Sequence, residues 1–306
     1  MPSIITVTIN PCIDKSSSIE KIIPEKKLRC AVPKYEPGGG GINVSRAIKK
    51  LGGHSIPVLA AGGHSGKFLI NLIEDEKLQP LVIHIKENTR ENFIVYEEST
   101  NNQYRFGMPG PLLSESEWQA CIDVIESLEN VDYIVASGSL PRGVPTDFFA
   151  RIVKVAKQRN MKCILDTSGE AVSHALNEGV YLWKPNLGEL STFSGCAELT
   201  IDTAVEAARE IIAQKKVEVI VLSMGAAGAM LITENIAQRI VAPVVKRKST
   251  VGAGDSMVAG IVYSLSNGSD LTEAVKFGVM CGTAATMNHG TELCKKEDVE
   301  KLYKSH

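Results

Sequence analysis

The chain predicts an α/β fold: a three-layer α/β/α domain around a mainly parallel central sheet, with a small β-sheet lid. Three observations carry this. The strand candidates are continuous apolar runs, as expected of strands buried on both faces. Amphipathic stretches of helical length separate them, which is the rhythm of parallel α/β units. Two segments, residues 16–35 and 92–108, break that rhythm and lack a helical period.

Residues 4–9, Ile-Ile-Thr-Val-Thr-Ile, form the first strand, and polar, strand-like sequence follows over 16–35. A helix covers 43–51, because Val44, Ala47, Ile48 and Leu51 share one face and Gly52-Gly53 supplies the stop. An apolar strand at 56–61 precedes the second irregular segment. There, Phe93 to Glu98 and Gln103 to Phe106 flank the turn residues Thr100-Asn101-Asn102, so two antiparallel strands are expected. Helices at 115–128 and 146–159 then alternate with strands at 133–136 and 163–165. A short strand at 181–183, a helix at 203–214 and a strand at 217–222 continue the pattern. Helices at 253–265 and 271–287 come last; in the first, Met257, Val258, Ile261, Val262 and Leu265 keep helical apolar spacing. No linker or repeat interrupts the chain. It therefore reads as one domain over 1–306, with a lid of about 15–36 and 90–108 inserted into it.

Composition narrows the function classes. A hydrophobic fraction of 44% and a charged fraction of 22% are ordinary for a globular protein. A net charge of −2 gives no reason to expect nucleic-acid binding. No apolar run reaches spanning length, and the first residues lack a basic region and a cleavage site, so a cytoplasmic protein away from membranes is expected. The seven cysteines (12, 30, 121, 163, 196, 281 and 294) are odd in number and widely spaced, which argues against a disulfide framework or a zinc site. The six histidines are scattered, and His289, though near other notable residues, reads as structural.

The most informative stretch is Thr250-Val251-Gly252-Ala253-Gly254-Asp255-Ser256, a glycine-rich turn opening a helix. Free N–H groups and the helix dipole make such a turn a place for developing negative charge. Asp255 beside it can accept a proton from a hydroxyl. Phosphoryl transfer to an alcohol fits this pairing; ordinary N-capping by Asp and Ser is the alternative.

Other turns could supply what such chemistry needs. Gly38 to Gly41 precede a helix that begins near Asn43 and can bring a polar ligand close to the backbone. A dinucleotide loop fits poorly, because Pro33 and Pro37 interrupt the preceding strand and no acidic residue follows at the ribose distance. Asp14 lies just after the first strand, where it can bind sugar hydroxyls or cap a turn. Lys27, Arg90 and Arg105 sit in or beside the lid stretches, and three cations at one site would suit a substrate that already carries a phosphate. Ser137-Gly138-Ser139-Leu140-Pro141 ends another strand. Asn186 and Glu189 follow Lys184 at a helix start, either as a capping box or as oxygens for the water shell of magnesium. Residues 223–228, from Ser223 through Gly225 to Gly228, make a turn suited to nucleotide phosphates or to a hairpin.

Taken in order, the stretches 38–43, 137–141, 184–189, 223–228 and 251–256 resemble the ribokinase-like PfkB carbohydrate kinases, along essentially the whole chain. Lys27-Leu28-Arg29-Cys30, Gln103-Tyr104-Arg105-Phe106 and Ser168-Gly169-Glu170-Ala171 add to the likeness. The resemblance implies that Asp255 is the catalytic base and that Gly252, Ala253 and Gly254 form an anion hole. It implies a sugar held by Asp14, Gly39, Gly40, Asn43 and Ser139, and an existing phosphate met by Lys27, Arg90 and Arg105. Lys184, Asn186 and the 223–228 turn would line the ATP side, and Glu189 would organise Mg2+ through water, with Asp166 assisting. A K+ site would map to the backbone around Ser249, Val251, Ala285, Asn288 and Gly290. Glu292 stands where close relatives carry arginine, a change that a carbonyl ligand tolerates, and Ile23 stands where tyrosine is expected. A homodimer joined through the lids is also implied.

The expected reaction is ATP-dependent phosphorylation of fructose 6-phosphate at its 1-hydroxyl. Tagatose 6-phosphate, or fructose 1-phosphate taken at its 6-hydroxyl, are the alternatives within the family. A non-catalytic sugar-phosphate or nucleotide sensor is the alternative from another class, and a dehydrogenase a third. An intact Asp255 beside the glycine turn counts against the sensor, which needs no base.

Overall fold

The computed structural model describes residues 3–196, 199–288 and 290–305; His289 lies outside the described residues. The strands are β1 (Ser3–Thr8), β2 (Cys12–Ile19), β3 (Lys34–Gly38), β4 (Ile56–Gly62), β5 (Leu81–Ile85), β6 (Arg90–Glu97), β7 (Asn102–Phe106), β8 (Val131–Ser137), β9 (Lys162–Asp166), β10 (Val180–Trp183), β11 (Val217–Ser223), β12 (Ala229–Ile232) and β13 (Ala237–Ile240). The helices are α1 (Gly40–Lys50), α2 (Gly63–Asp75), α3 (Glu115–Ser127), α4 (Phe148–Gln158), α5 (Glu170–Asn177), α6 (Leu187–Ser194), α7 (Ile201–Ala213), α8 (Ala253–Ser266), α9 (Leu271–Thr286) and α10 (Lys296–Lys304).

Nine strands make one sheet in the order β13-β12-β11-β10-β9-β8-β1-β4-β5. From β11 to β5 every neighbouring pair is parallel; β12 and β13 add an antiparallel edge. The period of two decides which face each side chain serves. Ile134 and Ala136 enter one core with Trp118, Phe148 and Phe149 from α3 and α4. Tyr133 and Val135 enter the other, with Val44, Val258, Ile261 and Val279 from α1, α8 and α9. Both faces are buried, so the strands read as unbroken apolar runs and the three-layer expectation holds.

A separate four-stranded sheet has the order β3-β2-β6-β7. β2 lies parallel to β6, while β3 and β7 run antiparallel to their neighbours. The strand-like reading of 16–35 needs correction, because no strand occupies residues 20–33. That stretch is rich in Lys and Glu and contains Pro24 and Pro33, and its backbone makes isolated bonds rather than a ladder, Ala31 N–H to Ser18 O and Ser99 N–H to Glu20 O. Pro37 is tolerated inside β3 because β3 is an edge strand.

Helix α1 starts three residues before the expected Asn43. Gly39, at φ +117°, is its cap residue, and the Thr8 hydroxyl accepts from the Ile42 N–H at 2.9 Å. Its end follows the sequence: Gly53 N–H donates to Ile48 O and Gly52 N–H to Lys49 O, the paired bonds of a Schellman stop. Among the described residues, no helix is long and apolar enough to cross a membrane. All seven cysteines are free thiols.

Candidate active site

The strand order reverses between β1 and β8. Chain order runs to one side through β4 and β5, then resumes on the other side from β8. Ligands in such sheets bind beyond the carboxyl ends of the strands at that switch point. Here Asn10, after β1, donates its Nδ2 to Ser139 Oγ, after β8, at 3.0 Å. Asn10 Oδ1 is buried and has no partner among the described residues. The N-terminus of α1 is wedged into the same crevice. A Cβ on Gly40 would strike Ser137 Oγ, and one on Gly41 would lie 2.6 Å from Thr8 Oγ1. These two glycines are required by the protein's own strands, so the packing of α1 alone accounts for them.

The turn before α8 leaves its donors open. Gly252, at φ +71°, is the N-cap residue and makes no side-chain cap bond. The N-capping reading of Asp255 and Ser256 is therefore corrected. Asp255 is the third residue of the helix, and Ser256 Oγ instead accepts from the Cys294 N–H at 3.3 Å. The N–H groups of Gly252, Gly254 and Asp255 meet no acceptor among the described residues. A Cβ on Gly252 would press within 2.7 Å of Leu293, whereas one on Gly254 would meet nothing closer than Lys184 Nζ at 3.6 Å. Glycine at 254 is thus not demanded by the chain itself.

Asp255 accepts from Asn43 Nδ2 at 2.9 Å. Its residue surface is partly exposed, yet protein atoms ring the carboxyl. That desolvation, reinforced by the charge of Asp166 and opposed by the Asn43 bond and Lys184, raises its titration to about 6. Such a carboxylate is ionised at neutral pH and basic enough to take a hydroxyl proton in a transition state. Lys184 lies just past β10, is buried, and pairs with Asp166 Oδ1 at 2.9 Å. Burial opposes its charge, but Asp166 and Asp255 outweigh burial and hold it protonated.

Asn186 and Glu189 form a reciprocal capping box at the start of α6. Asn186 Oδ1 accepts from Glu189 N–H at 2.8 Å, and Glu189 Oε2 from Asn186 N–H at 2.9 Å. The capping reading is thereby realised, and Glu189 Oε1 meets no donor among the described residues. Residues 223–228 join the antiparallel strands β11 and β12 through one turn of 3₁₀ helix. Beside this turn lies a cavity of about 370 Å³ bounded by Ser223, Gly225, Gly228, Thr250, Ala253, Gly254 and Met257, with Val279 and Thr283 from α9. A wider cavity of about 600 Å³ opens between α5 and α6, beside Asn186 and Glu189. The smaller one touches the glycine turn and carries the chemistry better.

The small sheet brings polar groups to the same cleft. Register places Asp14, Asn92, Arg90 and Arg105 on one face: Asp14 opposes Asn92, and Ile94, two residues beyond Asn92, opposes Arg105. Asn92 Nδ2 donates to Asp14 Oδ1 at 3.0 Å. Arg90 donates to Asn10 O at 3.0 Å and to Met108 O at 3.2 Å, while its buried Nε has no partner among the described residues. Arg105 is exposed and turned toward Gln103 of its own strand. Lys27 lies exposed on the segment between β2 and β3 and makes no hydrogen bond or ion pair among the described residues.

The residues around the implied cation site do converge. Ser249 Oγ donates to Gly290 O at 2.8 Å and accepts from Val251 N–H at 3.2 Å. Asn288 N–H donates to Ala285 O at the end of α9. Sequence reasoning missed Asn10, Asn92 and Arg46. Asn10 was findable as the polar residue just past the first strand, and Asn92 as the residue two beyond Arg90 on a strand. Arg46 carries only its spacing of three from Asn43 along the helix.

Comparison with known proteins bears on this cleft. The profile described as "pfkB family carbohydrate kinase" matches residues 4–298. The chain is 41% identical over 304 residues to the ATP-dependent 6-phosphofructokinase isozyme 2 of Escherichia coli K12, covering 99% of this chain and 98% of that protein. It is 33% identical to the 1-phosphofructokinase of Bacillus subtilis 168, over 98% of this chain and 97% of that protein. Among solved structures, Escherichia coli phosphofructokinase-2 with potassium superposes with a TM-score of 0.96 at 41% identity, covering 100% of this chain and 99% of that one. The same enzyme with fructose-6-phosphate gives 0.94 at 39% identity, again over 100% and 99%.

Proposed function

The chain belongs to the PfkB family of carbohydrate kinases, and from that premise we propose that it transfers a phosphoryl group from ATP to the 1-hydroxyl of fructose 6-phosphate, giving fructose 1,6-bisphosphate. The observation that carries this reading is Asp255. It is a carboxylate ringed by protein, titrating near 6, at the mouth of a turn in which the Gly252 and Gly254 N–H groups are open and the Ala253 N–H makes only a long 3.5 Å bond to Thr250 O.

Asp255 takes the hydroxyl proton as the oxygen attacks the γ-phosphorus. The N–H groups of Gly252, Ala253 and Gly254 hold charge on the transferring group, aided by the dipole of α8. Asp14, Asn43 and Ser139, with the backbone of Gly39 and Gly40, orient the sugar. Arg90 and Arg105 grip its 6-phosphate from the small sheet, which acts as a lid. Lys27 joins them when the lid segment closes. The unpartnered Arg90 Nε and Asn10 Oδ1 support a polar ligand at this place. Lys184, Asn186 and the 223–228 turn line the ATP side. Most of the rate comes from position and electrostatics.

The residues present fit magnesium: the capping box uses only one oxygen of Glu189, and Asp166 and Glu189 both act on the charge of Lys184. That suits an ion which keeps its waters and takes the rest of its shell from phosphates. When bound, Mg2+ neutralises charge on the ATP oxygens. Carbonyls at the negative end of α9 and along the loop with Ser249, Val251, Asn288 and Gly290 suit K+. The lid also carries the homodimer contact, and the cytoplasm is the expected compartment. ADP release measured with fructose 6-phosphate, tagatose 6-phosphate and fructose 1-phosphate tests the substrate. The highest kcat/KM is expected with fructose 6-phosphate; release with none of them makes the chain a sensor, and a preference for fructose 1-phosphate makes it the alternative kinase.

A further inference from the structure

Asn43, which meets the carboxylate assigned as base, is itself held from behind. Its Nδ2 donates to Asp255 Oδ2 at 2.9 Å, and its Oδ1 accepts from Arg46 Nη1 at 3.2 Å. An amide can present either end to a neighbour, but a guanidinium has only donors. Arg46 therefore admits one orientation: oxygen toward the arginine, N–H toward Asp255. The ionised Asp255 carboxylate, which can only accept, selects the same end, so the amide is fixed from both sides, by Asp255 in front and Arg46 behind.

Arg46 is fixed by three further partners. It is only 3% exposed, and its Nη1 also donates to Pro37 O at 2.9 Å. Nε donates to both oxygens of Glu76, at 2.9 and 3.0 Å, and Nη2 to Glu76 Oε1 at 2.6 Å. Nη2 also reaches Glu36 Oε1 at 3.4 Å. The other oxygen of Glu36 accepts from the Thr291 hydroxyl, and Lys34 Nζ stands 3.3 Å from Oε1. The small sheet, the end of α2 and the loop after α9 thus all converge on one guanidinium.

We propose that Arg46 is a positioning residue for the phosphoryl transfer: it locks the Asn43 amide so that its N–H, and not its oxygen, faces the Asp255 carboxylate. This rests on the reading of Asp255 as base. Released from Arg46, the amide keeps only its bond to Asp255 and is free to swing with it, and the carboxylate loses the fixed contact that aims it. Without that contact the hydroxyl and its base are misplaced at the moment of attack.

The test is a double-mutant cycle on turnover. Arg46→Lys keeps a buried cation between Glu36 and Glu76 but lacks the planar fork that reaches Asn43. In the parent protein it lowers kcat about 10-fold or more, with KM for ATP changed by less than about twofold. In an Asn43→Ala background the same change alters kcat by less than about twofold, because the amide it acts through is gone. An equal loss in both backgrounds is what a merely structural arginine gives, and overturns the proposal, as does an Asn43→Ala protein with parental kcat. Should the lysine variant not fold, Glu76→Ala removes the anchor of Nε and Nη2. It is expected to lower kcat in the parent and not in Asn43→Ala; no loss in either, or equal loss in both, overturns the proposal. Failure of the base reading shows itself separately, as near-normal turnover of Asp255→Asn.

Discussion

Asp255 is held in tension between burial and function. In the folded chain its carboxyl titrates near 6, against 3.8 for the free side chain. The folded state therefore binds the proton more tightly than the unfolded state. The stability this contributes is full below about pH 3.8, and is lost as pH rises through about 6. At neutral pH an ionised Asp255 costs at most about 3 kcal/mol. Asp255→Asn should then melt a few degrees above the parent at pH 7.5, with the gap closing toward pH 4. Thermal unfolding at the two pH values checks this, and an equal gap at both would remove burial as the cause. With Asp255 as the proposed base, the same titration would govern turnover, so kcat should fall on the acid side of about pH 6. Arg90→Ala should raise KM for the sugar phosphate far more than KM for ATP. Steady-state kinetics with each substrate varied decides it, and equal effects would argue against a phosphate contact. At this scale the sequence was informative where a residue stood in a recognisable turn, as Asp255 and Asn43 do. It was silent on Arg46, because a cation on a helix face ordinarily points to solvent. Only the tertiary fold brings Glu36 and Glu76 to it.

The glycine turn and helix α8 behave as one device, and its two glycines serve different masters. Gly252 needs its positive φ and the space beside Leu293, so Gly252→Ala should destabilise the fold, by about 1–3 kcal/mol. Gly254 has ordinary dihedrals and room for a methyl group. Gly254→Ala should therefore leave stability unchanged or raise it by up to about 1 kcal/mol, while turnover falls, because the methyl group stands where phosphoryl oxygens must approach. Denaturant unfolding and kcat measured on both variants separate the two roles. A stable Gly254→Ala protein with full turnover would argue against the anion hole. The helix is aimed by its partner α9: a Cβ on Gly260 would lie 2.6 Å from Cys281 Sγ, and one on Gly278 would lie 2.8 Å from Met257 O. The long helices were legible from their apolar period, and α3, α8 and α9 end within a residue or two of expectation. Elements without a strong period went unread. α2 begins Gly-His-Ser-Gly and looks like loop, and β12 and β13 are only four residues each. Glu189 marks another limit: its spacing from Asn186 fits a capping box or a magnesium shell alike, and the structure shows the box.

For the whole molecule, the division into a doubly covered sheet and a small satellite sheet followed from two sequence rhythms, one apolar and unbroken, one alternating. The satellite sheet leaves apolar groups in the open at both edges: Phe106 at the end of β7 is 48% exposed and Met108 just past it 46%, and Val32, ahead of β3 at the other edge, is 92% exposed. A second copy of the chain laid over this sheet would cover them and bring the lids together. Sedimentation should show a dimer, and Phe106→Asp should shift it toward monomer; a parent protein that sediments as a monomer would contradict the pairing. Transfer by this site turns on one proton. Turnover of Asp255→Asn at saturating fructose 6-phosphate, measured alongside its affinity for ATP, tests that most directly. A fall of about 10²-fold or more with ATP affinity within about threefold of the parent is the result predicted here. Near-normal turnover with ATP still bound would contradict it.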